Sequence, residues 1–233
     1  MGSIRRRGIV RSAPKTFHVF SAIPEVIAPY FMASIFGKAQ ARKIISVRVY
    51  DLRAGAVDKH KKIDDSPYGG GPGMVLKVDT IYRGVAALKR KIVRTMHRKT
   101  RIVLLSTRGK LFTSVEARRL VRYDHVVFIC GRYEGVDERV ARHIADEELS
   151  VGPFILSGGE IPAMLAIDAI ARFVPGVLGK EESLEEVKGS YPVYTRPEVF
   201  YPDSKKAKKA WRVPQVLLSG DHKKIDEWRS ARG

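Results

Sequence analysis

The chain has 233 residues, with 43 Lys and Arg against 25 Asp and Glu, which gives a formal net charge of +18. This length suits one large domain with a small appendage, and a hydrophobic content of 44% supports a packed core. The single cysteine, Cys130, excludes a disulfide framework and a multi-cysteine metal site, and no apolar run reaches the ~18 residues of a membrane span. The charge favours a polyanionic partner such as nucleic acid, with a generally basic enzyme as the alternative. A reducing, cytoplasmic setting is expected.

Residues 1–15 predict a basic extension that lies outside the fold. The stretch "MGSIRRRGIVRSAPK" is rich in Arg, contains no acidic residue and lacks the apolar run of a secretory signal. We expect this extension to be disordered. A short organellar presequence and a leader added in cloning are the alternatives.

The first half of the chain predicts two strands, a helical region and a glycine loop. Residues 17–23 predict a buried strand, a helical region begins at Pro24, and residues 44–52 predict a second strand. The polar stretch 53–74 follows and contains "SPYGGGPGM", a loop long enough to suggest a function. A helix over residues 79–93 is expected next, with Asp79 as its N-cap.

The second half continues the alternation of strand and helix. Strands are predicted at 101–106, 125–131 and 154–159, and helices at 114–123, 135–145 and 160–174. The alternation predicts an α/β fold with a mostly parallel sheet. Beyond residue 174 the chain is polar and rich in Pro, Gly and charge, which indicates a linker and an irregular basic segment before a short helix at 221–229.

Three glycine-bearing loops follow predicted strands: "STRGK", "CGRYEG" and "LSGGE". Ligands of parallel sheets bind at the carboxyl ends of the strands, so these loops predict a nucleotide-like ligand held mainly by backbone groups. Tight turns without a ligand are the alternative. The motifs G-x-x-x-x-G-K-[ST], G-x-G-x-x-G, H-E-x-x-H and G-x-S-x-G do not occur, which argues against P-loop, dinucleotide-binding, metalloprotease and α/β-hydrolase functions.

Six motifs occur in order: "DDSPYGGGPGM", "CGRYEGVDERV", "LSGGEIPAM", "RFVPGVLG", "YTRPEV" and "VPQVLLSGDH". With them, residues 17–229 resemble the bacterial tRNA (guanine-N1)-methyltransferase family, the TrmD type of the SPOUT class. The resemblance implies a SPOUT-type mostly parallel sheet with a deep trefoil knot and a small, mainly helical C-terminal segment. It implies a knotted domain at 16–178, a linker at 179–196 and a tRNA-binding domain at 197–233 that is shorter than usual.

The resemblance also implies S-adenosylmethionine as the methyl donor, bound by the knotted loops. The fourteen positions that it assigns to the cofactor are Leu105, Ser106, Gly131, Tyr133, Glu134, Gly135, Val151, Gly152, Pro153, Phe154, Ile155, Leu156, Gly158 and Gly159. Pro153 departs from the family, which commonly has an aspartate there. Magnesium is implied as an accessory ion, but the sequence shows no dedicated metal cage.

The implied reaction is methylation of N1 of guanosine at tRNA position 37, on the 3′ side of the anticodon. Asp64, Tyr68 and Gly71, in and before the glycine loop, are the predicted substrate-binding residues. The glycines would let the backbone approach the flipped base closely. Asp64 and Asp65 would accept hydrogen bonds from base edges, with a solvated acidic pair as the alternative.

Removing the N1 proton requires a general base, and charge on the 6-keto oxygen requires a cation. The resemblance assigns the cation to Arg172, for which a helix-end salt bridge is the alternative. It places the base in the linker, where the usual D-S-F pattern is missing. Glu186 and Glu185 are the candidates, Glu186 first, with Glu182 behind them.

The resemblance implies a homodimer whose active sites are shared between subunits. The basic run at 205–212 is interpreted as an insertion that compensates for the short C-terminal domain in binding the tRNA anticodon stem-loop. Two rival functions stay open: another SPOUT RNA methyltransferase, and a catalytically degenerate, basic RNA-binding protein.

Overall fold

The computed structural model describes residues 13–93, 99–178, 191–202 and 210–232. The chain divides into two compact units, Met1–Gly179 and Lys180–Gly233. None of the described helices is long and apolar enough to cross a membrane.

The first unit is built on five parallel strands. Its strands are β1 (Lys15–Ser21), β2 (Ile45–Asp51), β3 (Asp64–Asp65), β4 (Val75–Leu76), β5 (Thr100–Leu111), β6 (His125–Cys130) and β7 (Glu147–Ser150). The main sheet has the order β2-β1-β6-β5-β7, with every pairing parallel, whereas β3 and β4 form a separate antiparallel pair. This confirms the α/β fold with a mostly parallel sheet; the trefoil knot stays a prediction.

Helices cover both faces of the main sheet. They are α1 (Ala28–Met32), α2 (Ser34–Ala41), α3 (Val78–Val93), α4 (Ser114–Leu120), α5 (Glu138–His143) and α6 (Glu160–Arg172), with 3₁₀ turns at Pro24–Val26 and Leu52–Gly55. Successive side chains of β6 enter opposite cores: Phe128 packs with residues of α1, α2, α4 and α6, and Ile129 packs with residues of α3 and α5. All six residues of β6 are buried and the five after His125 are apolar, as is typical of a central parallel strand.

The prediction of a strand at 154–159 is wrong. The fifth strand of the main sheet is β7, which the sequence analysis did not predict. Within 154–159 the structure has only an isolated bridge between Gly158 and Arg132. Two acidic residues, Glu147 and Glu148, make β7 difficult to recognise as a strand from the sequence. Glu147 accepts hydrogen bonds from Arg101 Nε at 2.7 Å and Arg119 Nη2 at 2.5 Å, so its charge is neutralised at the edge of the sheet.

Lys15, assigned from sequence to the extension, is the first residue of β1 and is buried. Its ammonium group donates hydrogen bonds to the carbonyl oxygens of Leu120, Val121 and Tyr123, at and just beyond the end of α4. Burial lowers the pKa of Lys15 to about 8, although Asp124 opposes this shift. Asp79, predicted as an N-cap, lies inside the first turn of α3 and pairs with Arg83.

The second unit contains an antiparallel pair, β8 (Val199–Phe200) with β9 (Trp211–Arg212), and two helices, α7 (Gln215–Leu218) and α8 (His222–Ser230). The helix predicted at 221–229 is therefore confirmed. Most of the basic run at 205–212 lies outside the described residues.

Candidate functional site

A cavity of about 560 Å³ lies at the carboxyl ends of the central strands. Three segments supply most of its lining: residues 104–108 of β5, residues 131–136 between the end of β6 and the start of α5, and residues 148–152 and 154–159 between β7 and the start of α6. The volume is in the range of small-molecule sites, and the position is where parallel sheets bind their ligands.

The structure brings together nearly all the residues that the resemblance assigns to the cofactor. Pro153 is the one that does not line the cavity. The thirteen that do are Leu105, Ser106, Gly131, Tyr133, Glu134, Gly135, Val151, Gly152, Phe154, Ile155, Leu156, Gly158 and Gly159.

The sequence analysis predicted Glu134 in the cavity but missed its other charged residues, which are Arg108, Arg132, Glu138 and Glu148. Arg108 donates a hydrogen bond to Glu138 at 2.6 Å and lies 3.8 Å from Glu148, and its pKa is raised, chiefly by the bond to Glu138. Arg132 and Glu134 also line the cavity. The missed residues stand close in sequence to the glycines of the predicted loops, and that position was a sequence signal for them. Their ion pairs could not be predicted, because they join segments that are distant in sequence.

The glycine loop at 66–74 is tied to the cavity by backbone hydrogen bonds. Leu76 N–H donates to Gly135 O at 3.0 Å, and Glu134 N–H donates to Met74 O at 3.0 Å. A Cβ on Gly73 would lie 2.4 Å from Cγ of Glu134, so this glycine permits close packing on the cavity rim. Gly71, a predicted substrate residue, has a φ of +120° and no protein atom within 4 Å of an added Cβ. The space on the Cβ side of its Cα is therefore open apart from its chain neighbours.

Asp64 is linked to the cavity through Tyr133, which has a left-handed φ of +59°. Burial raises the pKa of the Tyr133 phenol, and the charge of Asp64, which accepts a hydrogen bond from the phenol O–H, adds to the shift. Asp65 instead accepts a hydrogen bond from Ser66 N–H at 2.9 Å within the loop. Tyr68 is fully exposed. Of the two acidic residues, Asp64 is thus the one joined to a side chain of the cavity.

Arg172 is the last residue of α6 and is partly buried. No salt bridge of Arg172 is found within the described ranges, so the alternative of a helix-end ion pair gains no support. The candidate bases Glu182, Glu185 and Glu186 lie outside the described residues. Nor does the described part of the chain contain a group of three or more His, Cys, Asp or Glu side chains able to hold a metal ion.

The parallel sheet and the glycine-lined cavity define an α/β protein with a ligand site of the kind that nucleotide-using enzymes place at strand ends. The chain belongs to the family described as tRNA (Guanine-1)-methyltransferase TrmD, which matches residues 15–233.

Similar proteins include three bearing the name tRNA (guanine-N(1)-)-methyltransferase. The one from Desulfitobacterium hafniense is 48% identical over 91% of this chain and 78% of its own length. The one from Carboxydothermus hydrogenoformans is 45% identical over 91% of this chain and 79% of its own length. The one from Myxococcus xanthus is 43% identical over 94% of this chain and 85% of its own length. Among solved structures, the tRNA (m1G37) methyltransferase of Aquifex aeolicus matches with a TM-score of 0.76 and 37% identity, covering 92% of this chain and 87% of its own.

Proposed function

We propose that this protein methylates N1 of guanosine 37 in tRNA, using S-adenosylmethionine as the donor. The observation that carries the proposal is the cavity at the carboxyl ends of the sheet in a chain of the TrmD family. Its lining includes thirteen of the fourteen positions assigned to the cofactor from sequence. The formal charge of +18 supports a polyanionic substrate.

The residues of the cavity suit this cofactor. The volume of about 560 Å³ accommodates an adenosine with an amino-acid chain, and the glycines expose backbone groups for hydrogen bonds to a base and a ribose. The carboxylates of Glu134, Glu138 and Glu148 complement the positive charge of a sulfonium and an ammonium group. When bound, the cofactor supplies an electrophilic methyl group; the protein supplies position and charge.

The chain's own groups act on the guanine. Transfer to N1 requires removal of its proton, for which we propose Glu186, with Glu185 as the neighbouring candidate. We propose that Arg172 stabilises the negative charge that develops on the 6-keto oxygen, because a fixed cation there acts mainly on the transition state. No partner within the described part of the chain competes for its guanidinium.

We propose that the segment from Asp64 to Gly71 receives the flipped guanosine. Its far end is hydrogen-bonded to the segment 134–135, which lines the cavity, so a base held here would lie beside the methyl donor. Asp64 is suited to accept a hydrogen bond from the base edge, and the open backbone at Gly71 allows close approach.

We propose that the active protein is a homodimer with shared sites. Ile161 and Leu165 lie four residues apart on one exposed face of α6, and Ile155 in the preceding loop is also exposed. Tyr30 of α1 joins this face through a hydrogen bond to Asp168 at 2.5 Å. An apolar face that borders the cavity supports a second copy that completes the site.

We further propose a cytoplasmic location, consistent with a tRNA substrate and one buried cysteine. No described cluster fits the implied magnesium ion, and no step is assigned to it.

The proposed function is tested by incubating a tRNA transcript with protein and S-adenosylmethionine and mapping the added mass by nuclease digestion. We expect one methyl group at guanosine 37, and none on a matched transcript with adenosine at this position. Methylation elsewhere, or on ribose, would favour another SPOUT enzyme. If calorimetry shows no heat with the cofactor while RNA still binds, the protein is a degenerate RNA-binding module.

A further inference from the structure

A buried hydrogen-bond network lies behind the cavity and holds one of its arginines. The side chain of Glu160, the first residue of α6, is buried, and its Oε1 accepts a hydrogen bond from Ser21 Oγ at 2.6 Å. The same oxygen lies 3.4 Å from Nε of Arg132, which lines the cavity. Ser21 Oγ in turn accepts a hydrogen bond from Ile23 N–H at 2.9 Å.

The network joins three elements of the sheet edge at one point. Ser21 ends β1, Arg132 follows β6, and Glu160 begins α6. A Cβ on Gly158 would lie 2.4 Å from Glu160 Oε2 and 3.1 Å from Arg132 Nε. The absence of a side chain at residue 158 is therefore what allows this ion pair to form beneath the loop.

A carboxylate buried to this degree is costly unless it is hydrogen-bonded and paired, and here it receives both a hydroxyl and a guanidinium. Because Glu160 occupies the Nε edge of Arg132, the other edge of the guanidinium, formed by its two Nη atoms, is left for a second partner. Among the described residues, Glu160 is the only acidic side chain that pairs with Arg132.

Arg108, the other arginine of the cavity, is by contrast already engaged by Glu138. The three acidic side chains of the lining suit the cationic groups of a ligand, and Arg132 is the group that suits an anionic one. Its side chain is only 25% exposed, which favours an oxyanion of a ligand inside the cavity over a phosphate of RNA at the surface.

We propose that Arg132 binds the carboxylate of the amino-acid portion of the cavity ligand, and that Glu160 and Ser21 are positioning residues that fix its orientation. The assignment rests on the proposed function, since it requires that the ligand be S-adenosylmethionine or its product. Bidentate pairing with a carboxylate is the geometry for which a guanidinium is pre-organised.

Calorimetry with two ligands tests this assignment without measuring turnover. S-Adenosylhomocysteine carries the amino-acid carboxylate, whereas 5′-methylthioadenosine shares the adenosine and thioether but lacks the amino-acid portion. Arg132→Gln is expected to lower the affinity for S-adenosylhomocysteine roughly 10- to 100-fold and to change the affinity for methylthioadenosine by less than about threefold. Arg122→Gln, an exposed arginine after α4 that does not line the cavity, is the matched control and is expected to change neither.

A double-mutant cycle tests the positioning role. Glu160→Gln keeps an acceptor for Ser21 but removes the charge that holds Arg132. We therefore expect its affinity for S-adenosylhomocysteine to fall, but by less than in Arg132→Gln, and its affinity for methylthioadenosine to stay unchanged. The double variant should lose no more than Arg132→Gln alone, because both changes remove one interaction. Arg132→Lys is expected to have an affinity for S-adenosylhomocysteine between those of the unaltered protein and Arg132→Gln. Because it is a milder change, it keeps the test decisive if Arg132→Gln does not fold.

Equal losses for both ligands would overturn the assignment, because they would show a general disturbance of the cavity. So would unchanged affinity for both in Arg132→Gln, or weakened tRNA binding as its only effect, which would place an RNA phosphate on Arg132. If the unaltered protein binds neither ligand and methylates no tRNA, the proposed function itself fails. A different outcome rejects only the role of Arg132. In that outcome the unaltered protein binds both ligands and methylates tRNA, but Arg132→Gln does not weaken S-adenosylhomocysteine binding more than methylthioadenosine binding.

Discussion

Gly159→Ala should destabilise the first unit, because Gly159 lies directly against the backbone of β6. A Cβ on Gly159 would lie 2.6 Å from Cα of Cys130 and 3.0 Å from Gly131 N. Ordinary van der Waals contact begins at 3.4 Å, so the two segments would have to separate by roughly 0.8 Å. They are also joined by a hydrogen bond from Gly159 N–H to Gly131 O at 2.8 Å, which the separation would stretch.

Overpacking of this kind costs about 1–3 kcal/mol. For a unit of this size, that corresponds to a fall in Tm of roughly 2–12 °C. The assay is thermal unfolding followed by circular dichroism, with S-adenosylhomocysteine affinity as a second readout. We expect the affinity to fall as well, because both segments line the cavity.

Gly131→Ala is the matched control for Gly159→Ala. Its Cβ would approach only Cγ2 of Val136, at 3.3 Å, and Leu105 O, at 3.7 Å. Since a side chain can give way and alanine restricts the unfolded chain, its stability should change by less than about 1 kcal/mol. A Tm of Gly159→Ala equal to that of Gly131→Ala would refute the packing argument.

Four further predictions address catalysis, RNA binding and pH. Arg172→Ala should lower kcat about 100-fold with S-adenosylhomocysteine affinity unchanged, since its charge acts on a state formed only during transfer; a change confined to KM would contradict this role. Glu186→Gln should abolish methylation while Glu185→Gln retains it, as measured by incorporation of labelled methyl groups, and the reverse result would move the base by one residue. The affinity for tRNA should fall at least tenfold between about 50 and 200 mM salt, and a flat profile in filter binding would mean that the basic residues do not contact phosphates. Burial and neighbouring positive charges lower the pKa of His18 from 6.5 to about 3, so between these pH values the unfolded chain binds a proton that the folded chain does not. The free energy of unfolding should therefore decrease as the pH falls through this window, and the urea midpoint of His18→Gln should depend less on pH there.

The strands that could be predicted from sequence are those whose burial is complete. The six residues of β6 are all apolar or buried, and a continuous run of this kind indicates a central parallel strand. β7 could not be recognised, because half of its four residues are glutamates. Glu147 is accommodated by Arg101 and Arg119, which precede it by 46 and 28 residues, and no local pattern reveals such partners.

The candidate site divides in the same way. The glycine-bearing segments are local signals, and a cavity was expected where they follow strands, although the structure places "STRGK" within β5 and not after it. The network behind the cavity was not expected, because Glu160 meets Ser21 across 139 residues and Arg132 across 28. Sequence distance hides a contact that the parallel sheet creates by placing the ends of β1 and β6 near the start of α6.

The glycines of the site show why a sequence motif alone does not assign roles. Gly71 needs a positive φ and faces open space, whereas Gly158 leaves room for an ion pair. Gly159 allows two backbones to touch. Gly71 leaves open space beside the proposed guanosine site, whereas Gly158 and Gly159, which line the cavity, also permit the close contacts that hold its wall together. Because the contacts at Gly158 and Gly159 join the same segments that line the cavity, a ligand that binds both segments opposes their separation. A ligand that binds both segments should therefore stabilise the folded first unit as a whole.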